Sequence, residues 1–178
     1  MENLRTFLNA TIVCGTLLFS QFGIAQKINQ KTTSVIINGT SSLHDWEMNG
    51  SSAAFSGTIN GNAISNATFT IPIKNITSKK GKMMDNKAHA ALKADKFPNI
   101  SFSAPSITVG KGNLNGKMTI AGVSKNVTFP VTVVKNANTY TINGTETLKL
   151  SDFGMERPGF MGVKTGDVVT VKVNIVAE

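Results

Sequence analysis

Few residues in this chain have side chains able to do chemistry. His44 and Asp45 are adjacent, and His89 follows Met83 and Met84 at short distance. A histidine beside a carboxylate begins a general acid–base pair, and two histidines with a thioether begin a soft-metal site. Neither set is complete. A zinc-type site asks for three or four ligands at motif spacing, which two histidines do not supply. A serine hydrolase asks for a nucleophile on a strained elbow, and no Gly-x-Ser-x-Gly occurs. The single cysteine, Cys14, falls in a segment expected to be removed, so thiol, Fe–S and Cys-ligated zinc chemistry leave with it. No catalytic residue, metal or cofactor is expected, and the chain reads as a non-enzyme.

The chemistry that remains is binding. His44, Trp46 and Met48 point to one side of an extended segment and Asp45 and Glu47 to the other. With Phe69, Ile71, Phe102, Met118, Ile120, Phe129 and Val131 they can line an apolar tunnel, or simply fill an ordinary core. A second group is basic: Lys74, Lys79, Lys80, Lys82, Lys87, Lys93 and Lys96 stand against only Asp85 and Asp95. That stretch supplies more than half of the chain's net charge of +8. Beside a barrel mouth such lysines can hold an anionic head group or steer the protein to an anionic membrane surface; a solvated helix face is the plain alternative. Nucleic acid is the poorer partner, because no aromatic-interleaved basic motif is present. A third feature is the apolar loop from Phe153 to Gly162, in which Phe153, Met155, Phe160 and Met161 suit a lid over a barrel or a partner contact.

The elements that must position these residues are strands. Phe69, Ile71 and Ile73 alternate with polar residues or proline, as do Ile100, Phe102 and Ala104, Val127 to Val133, and Val169 to Ile175. Period two with β-branched and aromatic residues on one face marks half-buried antiparallel strands. Eight are expected: 31–38, 45–59, 67–73, 100–105, 113–121, 126–135, 139–150 and 167–177. Turns at Gly110 to Gly112, Gly122 to Lys125 and Asn136 to Asn138 join neighbours at hairpin length. The second strand is long enough to need a bend, and Gly50 is the natural place for it. Pro72 and Pro130 each remove a ladder donor and argue for edge or bulge positions. Only residues 82–95 break the pattern, where Met84, Ala88, Ala91 and Leu92 recur on one face of a short helix that Phe97-Pro98 stops. This pattern fits a sandwich or a closed barrel and does not choose between them.

At 178 residues, with 40% hydrophobic and 16% charged residues, the chain is one globular domain rather than a disordered one. Residues 1–25 are set apart: Arg5 precedes a largely apolar run from Phe7 to Phe22, and Gly23-Ile24-Ala25 places small residues ahead of Gln26 as an export signal does. A periplasmic or secreted protein of residues 26–178, without a cysteine, is the expectation.

Three segments carry a resemblance. Phe97 to Ala104 resembles a strand of YceI-like proteins. Gly116 to Val131, reading GKMTIAGVSKNVTFPV, is similar to a hairpin of that family. Ser151-Asp152-Phe153-Gly154-Met155, with Gly166-Asp167 after it, is similar to the segment leading into its last strand. The resemblance implies an eight-stranded antiparallel lipocalin-like β-barrel that holds a long apolar molecule, a polyisoprenoid or fatty-acid-like lipid, for carriage or sequestration. It implies a cavity lined by Trp46, Met48, Phe69, Ile71, Phe102, Met118, Ile120, Phe129, Val131, Phe153 and Phe160, with His44, Lys80, Lys82 and His89 at the mouth. The family's arginine ahead of the helix is absent here, where the chain reads Lys82-Met83-Met84-Asp85. The alternative is a non-enzymatic surface-interaction β module with a filled core. The oligomeric state is left open by the sequence, a homodimer included.

Overall fold

Side chains that alternate between water and apolar surroundings become a wall with two faces, and here the wall closes on itself. The structure is a computed structural model that describes residues 26–160 and 162–178. The expected signal segment 1–25, Cys14 in it, and Met161 lie outside the described residues. The elements are β1 (Gln26–Ser41), β2 (Trp46–Gly50), β3 (Ala54–Asn60), β4 (Ala63–Pro72), β5 (Ile76–Thr77), α1 (Lys82–Ala91), β6 (Asn99–Thr108), β7 (Gly110–Ile120), β8 (Val123–Asn136), β9 (Thr139–Lys149), β10 (Gly159–Phe160) and β11 (Val163–Ala177). The wall runs β1-β3-β4-β6-β7-β8-β9-β11 and returns to β1, where Gln30↔Ala177 through Ser41↔Thr165 close it. The result is a closed eight-stranded antiparallel barrel with a single short helix.

The expected bend at Gly50 is present. β2 pairs with the second half of β1 and β3 with its first residues, so the two are one strand broken at residues 51–53. Ser52 carries a positive φ of 55° at the break. Both prolines end a ladder: Pro72 is the last residue of β4, and the β8–β9 ladder stops at Val131↔Gly144, one residue beyond Pro130. The missing N–H falls where no partner asks for it.

Several strands are longer than expected, and in β1 and β4 bulges are the reason. The β1–β11 register slips between Gln30 and Thr32, and β4 carries an extra residue opposite β3, with Asn66 at φ 50°. Each bulge shifts the period, so Ile28 and Ile64 are both fully buried although they fall out of phase with Val35 and Phe69. The helix ends at Ala91 instead of Asp95. Lys93, at φ 55°, turns the chain back, and the Ala94 N–H donates to the carbonyl of His89.

The two ends of the barrel differ. At one end three hairpin turns gather with Gln26 and Glu178, the two ends of the described residues, and Ile28, Ile64, Ile107, Leu114, Val133, Tyr140 and Ala177 pack the interior. At the other end two of the connections are long and carry α1 and the turn Leu150–Phe153, beside the short β1–β2 and β7–β8 turns. Ser151 donates its backbone N–H and its hydroxyl to Asp167 at 2.9 and 2.6 Å, tying that turn to the start of β11.

The Ser151 hydroxyl, and then its backbone N–H, hold the Asp167 carboxyl below the usual carboxylate range. A carboxylate with a lowered folded pKa contributes stability above its unfolded value and loses it as pH falls through the folded one. Asp167→Ala is therefore expected to flatten the acid limb of the stability curve as pH falls below the ordinary Asp value of about 4. Urea midpoints across that range check it; an acid limb identical to wild type would show that Asp167 contributes nothing there.

Candidate functional site

The interior is built from side chains that lie against the wall. Gly39, Gly116 and Gly144 all sit at inward positions of their strands. A Cβ at Gly39 would run into the Trp46 indole, and one at Gly116 into the Phe102 ring. At Gly144 it would stand 3.1 Å from Phe129 Cε2. Each glycine thus lets a large ring from a neighbouring strand lie over the backbone. Phe102 and Phe129 meet at a 5.5 Å centroid distance with their planes tilted by 54°. Rings held to the wall leave the axis open.

Three spaces follow that axis. A groove at the mouth, about 150 Å³, is bounded by His44, Trp46, Met48, Lys80, Met84 and Ala88. A chamber of about 90 Å³ lies beneath α1 and reaches Phe153 and Met155. A central cavity of about 120 Å³ is bounded by Phe69, Phe102, Met118, Phe129 and Val131 among others. Trp46, Met48 and Ala88 are shared by the groove and the chamber. Ile37, Ile100, Ile120, Leu148 and Val171 are shared by the chamber and the cavity, so the three spaces lie in series along the axis, each divided from the next by shared side chains. Among the described residues the buried side chains are apolar apart from the Tyr140 hydroxyl, which lies without a hydrogen-bond partner in the filled end. The central cavity, with its apolar lining, is a poor home for water.

The expected lining residues are all on this path where they are described. Trp46 and Met48 stand between groove and chamber; Ile71, with the cavity residues named above, and Ile120 face the centre; Phe153 closes the chamber. The side chain of Phe160 lies outside the described residues. Inward positions of β1, β9 and β11, such as Val35, Ile142 and Ile175, also line the cavity and were missing from the expectation. Their signal was the same period-two alternation.

The mouth residues divide. His44 and Lys80 line the groove, whereas Lys82 stands at the first position of α1 and does not. His89 Nε2 is 2.8 Å from the Ile76 carbonyl oxygen, which ties α1 to β5. Further clips hold the helix: Asp85 accepts from the Ser78 N–H at 2.6 Å, and Lys87 donates to the Gly159 carbonyl at 3.2 Å across the mouth. No residue of α1 is fully buried, and Ala88, Ala91 and Leu92 pack on the barrel interior from above. The helix is a cover held by polar contacts at its edges.

The segments singled out in the sequence meet at this end as joints. Phe97 lies over Gly122 in the β7–β8 turn, Lys125 Nζ is 3.4 Å from Asp152, and Phe153 is buried beside Ile120 and Ala121. The Lys125–Asp152 pair is exposed on both sides and adds little by itself.

The sequence profile of the YceI-like domain matches residues 26–177. Among solved structures, BcnA of Burkholderia cenocepacia is 23% identical with a TM-score of 0.68, over 82% of this chain and 96% of that one. A polyisoprenoid binding domain from Saccharophagus degradans, implicated in plant cell wall breakdown, is 11% identical with a TM-score of 0.67, over 86% and 98%. The YCEI protein of Campylobacter jejuni is 20% identical with a TM-score of 0.59, over 72% and 82%. Comparison with curated proteins gives no match.

Because Gly39 is the floor under the Trp46 indole, Gly39→Ala is expected to cost about 1–3 kcal/mol through overpacking and to displace the ring. Urea unfolding and the emission maximum of Trp46, the only tryptophan, report both effects. A variant with unchanged midpoint and emission would contradict the contact.

Proposed function

The chain belongs to the YceI-like domain family, and from that premise we propose that it is a non-enzymatic binding protein that holds one long apolar molecule along the barrel axis, for carriage or sequestration. The observation that carries this reading is the series of adjoining spaces from the mouth groove to the central cavity, the two inner ones walled by apolar side chains. The polyisoprenoid-binding description of the Saccharophagus degradans domain supports the same class of ligand, a polyisoprenoid or fatty-acid-like chain.

Energetics favour a long chain. Each buried CH₂ is worth about 0.8 kcal/mol, so a dozen give roughly 10 kcal/mol of gross driving force. Association and ordering consume at least about 4 kcal/mol of that. A short chain therefore binds weakly, and length supplies the affinity. The loop after β9 supports a lid: Phe153 and Met155 are 2% and 9% exposed, so it turns these apolar residues inward instead of displaying them.

Loading from an anionic bilayer is part of this reading. On the rim, Leu43 is 71% exposed and Met83 53%, beside Lys79, Lys80 and Lys82. Apolar residues among lysines suit insertion at a negatively charged lipid surface. So is export: residues 1–25 act as a cleaved signal, and the protein works in the periplasm or outside the cell.

Two experiments test the proposal. Native mass spectrometry of the purified protein is expected to show one apolar adduct, and saturated chains of increasing length to bind about fourfold more tightly per CH₂ until the path is full. A bare polypeptide mass together with length-independent binding would mean a filled core. Separately, vesicles containing phosphatidylglycerol are expected to co-sediment the protein at low salt, and Leu43→Ser with Met83→Ser to abolish this. Equal binding to phosphatidylcholine vesicles, or by the double variant, would remove the membrane from the account.

A further inference from the structure

The central cavity ends on a floor of packed side chains. Ile120, Leu148 and Val169 border the chamber under α1. Six residues away on the same three strands, towards the hairpin end, Leu114, Ile142 and Ile175 border the central cavity. With Ile107 of β6, which borders it too, they are buried and belong to the cluster that packs the hairpin end. Behind them Ile28, Ile64, Val133, Tyr140 and Ala177 are buried and border none of the three spaces. The layer of Ile107, Leu114, Ile142 and Ile175 thus has cavity on one side and packed core on the other, and the series of spaces stops there.

Strand geometry sets the depth above this floor. Six residues of strand span about 20 Å, and a tilt of about 40° leaves about 15 Å of axis. A polypeptide advances about 3.5 Å for three backbone bonds, so an extended hydrocarbon advances about 1.2 Å per bond. About a dozen carbons reach from the level of the chamber to the floor, and a few more fill the mouth groove. Any further carbon stays outside or forces packed side chains apart, which costs more than its burial returns. Leu114 stands out in the floor because its neighbours on the inner face of β7 are Gly112 and Gly116, and Ala104 on the adjoining β6 is small as well. On this side of the barrel the height of the floor depends on one large side chain among small ones.

We propose that Ile107, Leu114, Ile142 and Ile175 form a stop that makes the barrel select by chain length, with Leu114 as its adjustable part. The ligand class is then a single chain of about 12 to 16 carbons, a medium-length acyl chain or a few isoprene units, and not a polyisoprenoid of many units. This rests on the reading that the barrel takes up an apolar chain. It also gives the two ends of the barrel different tasks: the helix end admits the chain, and the packed hairpin end measures it.

The test is a series of saturated fatty acids, from octanoic to eicosanoic in single-carbon steps, displacing a fluorescent fatty-acyl reporter. In wild type, affinity is expected to rise about fourfold per CH₂ and then break to a plateau between about 12 and 16 carbons. Leu114→Ala is expected to move the break out by about three carbons, the number it removes, while chains shorter than the break bind as in wild type. Leu114→Val and Ile142→Val, each one carbon smaller than the native residue, are expected to move it by about one and serve where the alanine variant does not fold. A rise that continues unbroken to eicosanoic acid in wild type would overturn the proposal. So would a break that stays in place in the folded variants, or an affinity change in them that is equal at every chain length. Failure of every fatty acid to bind wild type would instead overturn the apolar-chain reading itself, since the shorter acids do not reach the floor.

Discussion

Closure of the sheet by β1 and β11 is the constraint on which everything else depends. Pairing runs from Gln30↔Ala177 to Ser41↔Thr165, between the two ends of the described chain. Without it the wall would have two long free edges, each a template for association, and its apolar face would lie open to water. With it, eight strands enclose an interior wide enough for side chains or one small ligand. This closure is among the least local contacts the chain can make, so its loop entropy is met only once the intervening hairpins have formed. The bulge at Gln30 and the slip near Gly39 adjust the first strand to the curvature that closure demands.

What the interior becomes after closure is decided by volume. Large inward rings would normally fill an eight-stranded barrel. Here the inward glycines at 39, 116 and 144 take Trp46, Phe102 and Phe129 against the backbone, and the axis stays open. The filled end near Tyr140 and Ile28 shows the other outcome within the same molecule. Stability and binding are thereby separated along the axis: dense packing at the hairpin end, a path at the helix end. Polar contacts concentrate where the path meets solvent, in the clips from His89, Asp85 and Lys87 that hold α1 over the mouth.

Much of this was legible in the sequence. Period-two alternation located every strand of the wall, and Gly50 marked the break between β2 and β3. The helix was visible because Met84, Ala88 and Leu92 fall on one face. The bulges concealed the rest. Residues 26–30 and 63–66 are out of phase with the strands they belong to, so alternation stops short of them. The lining residues were legible as a face, because facing inward is a local property. An open axis was not, because it depends on which glycine lies beneath which ring on a neighbouring strand.

The central claim is that the barrel axis is occupied by an apolar chain in contact with the inner wall. Methyl NMR tests it most directly, with the isoleucine and methionine methyls labelled in an otherwise deuterated protein and an unlabelled fatty-acyl chain added. The account predicts intermolecular NOEs from the chain to Ile71, Met118 and Ile120. NOEs confined to Met83 on the rim, or none at all, would mean that the chain meets only the outside of the barrel and would contradict the account.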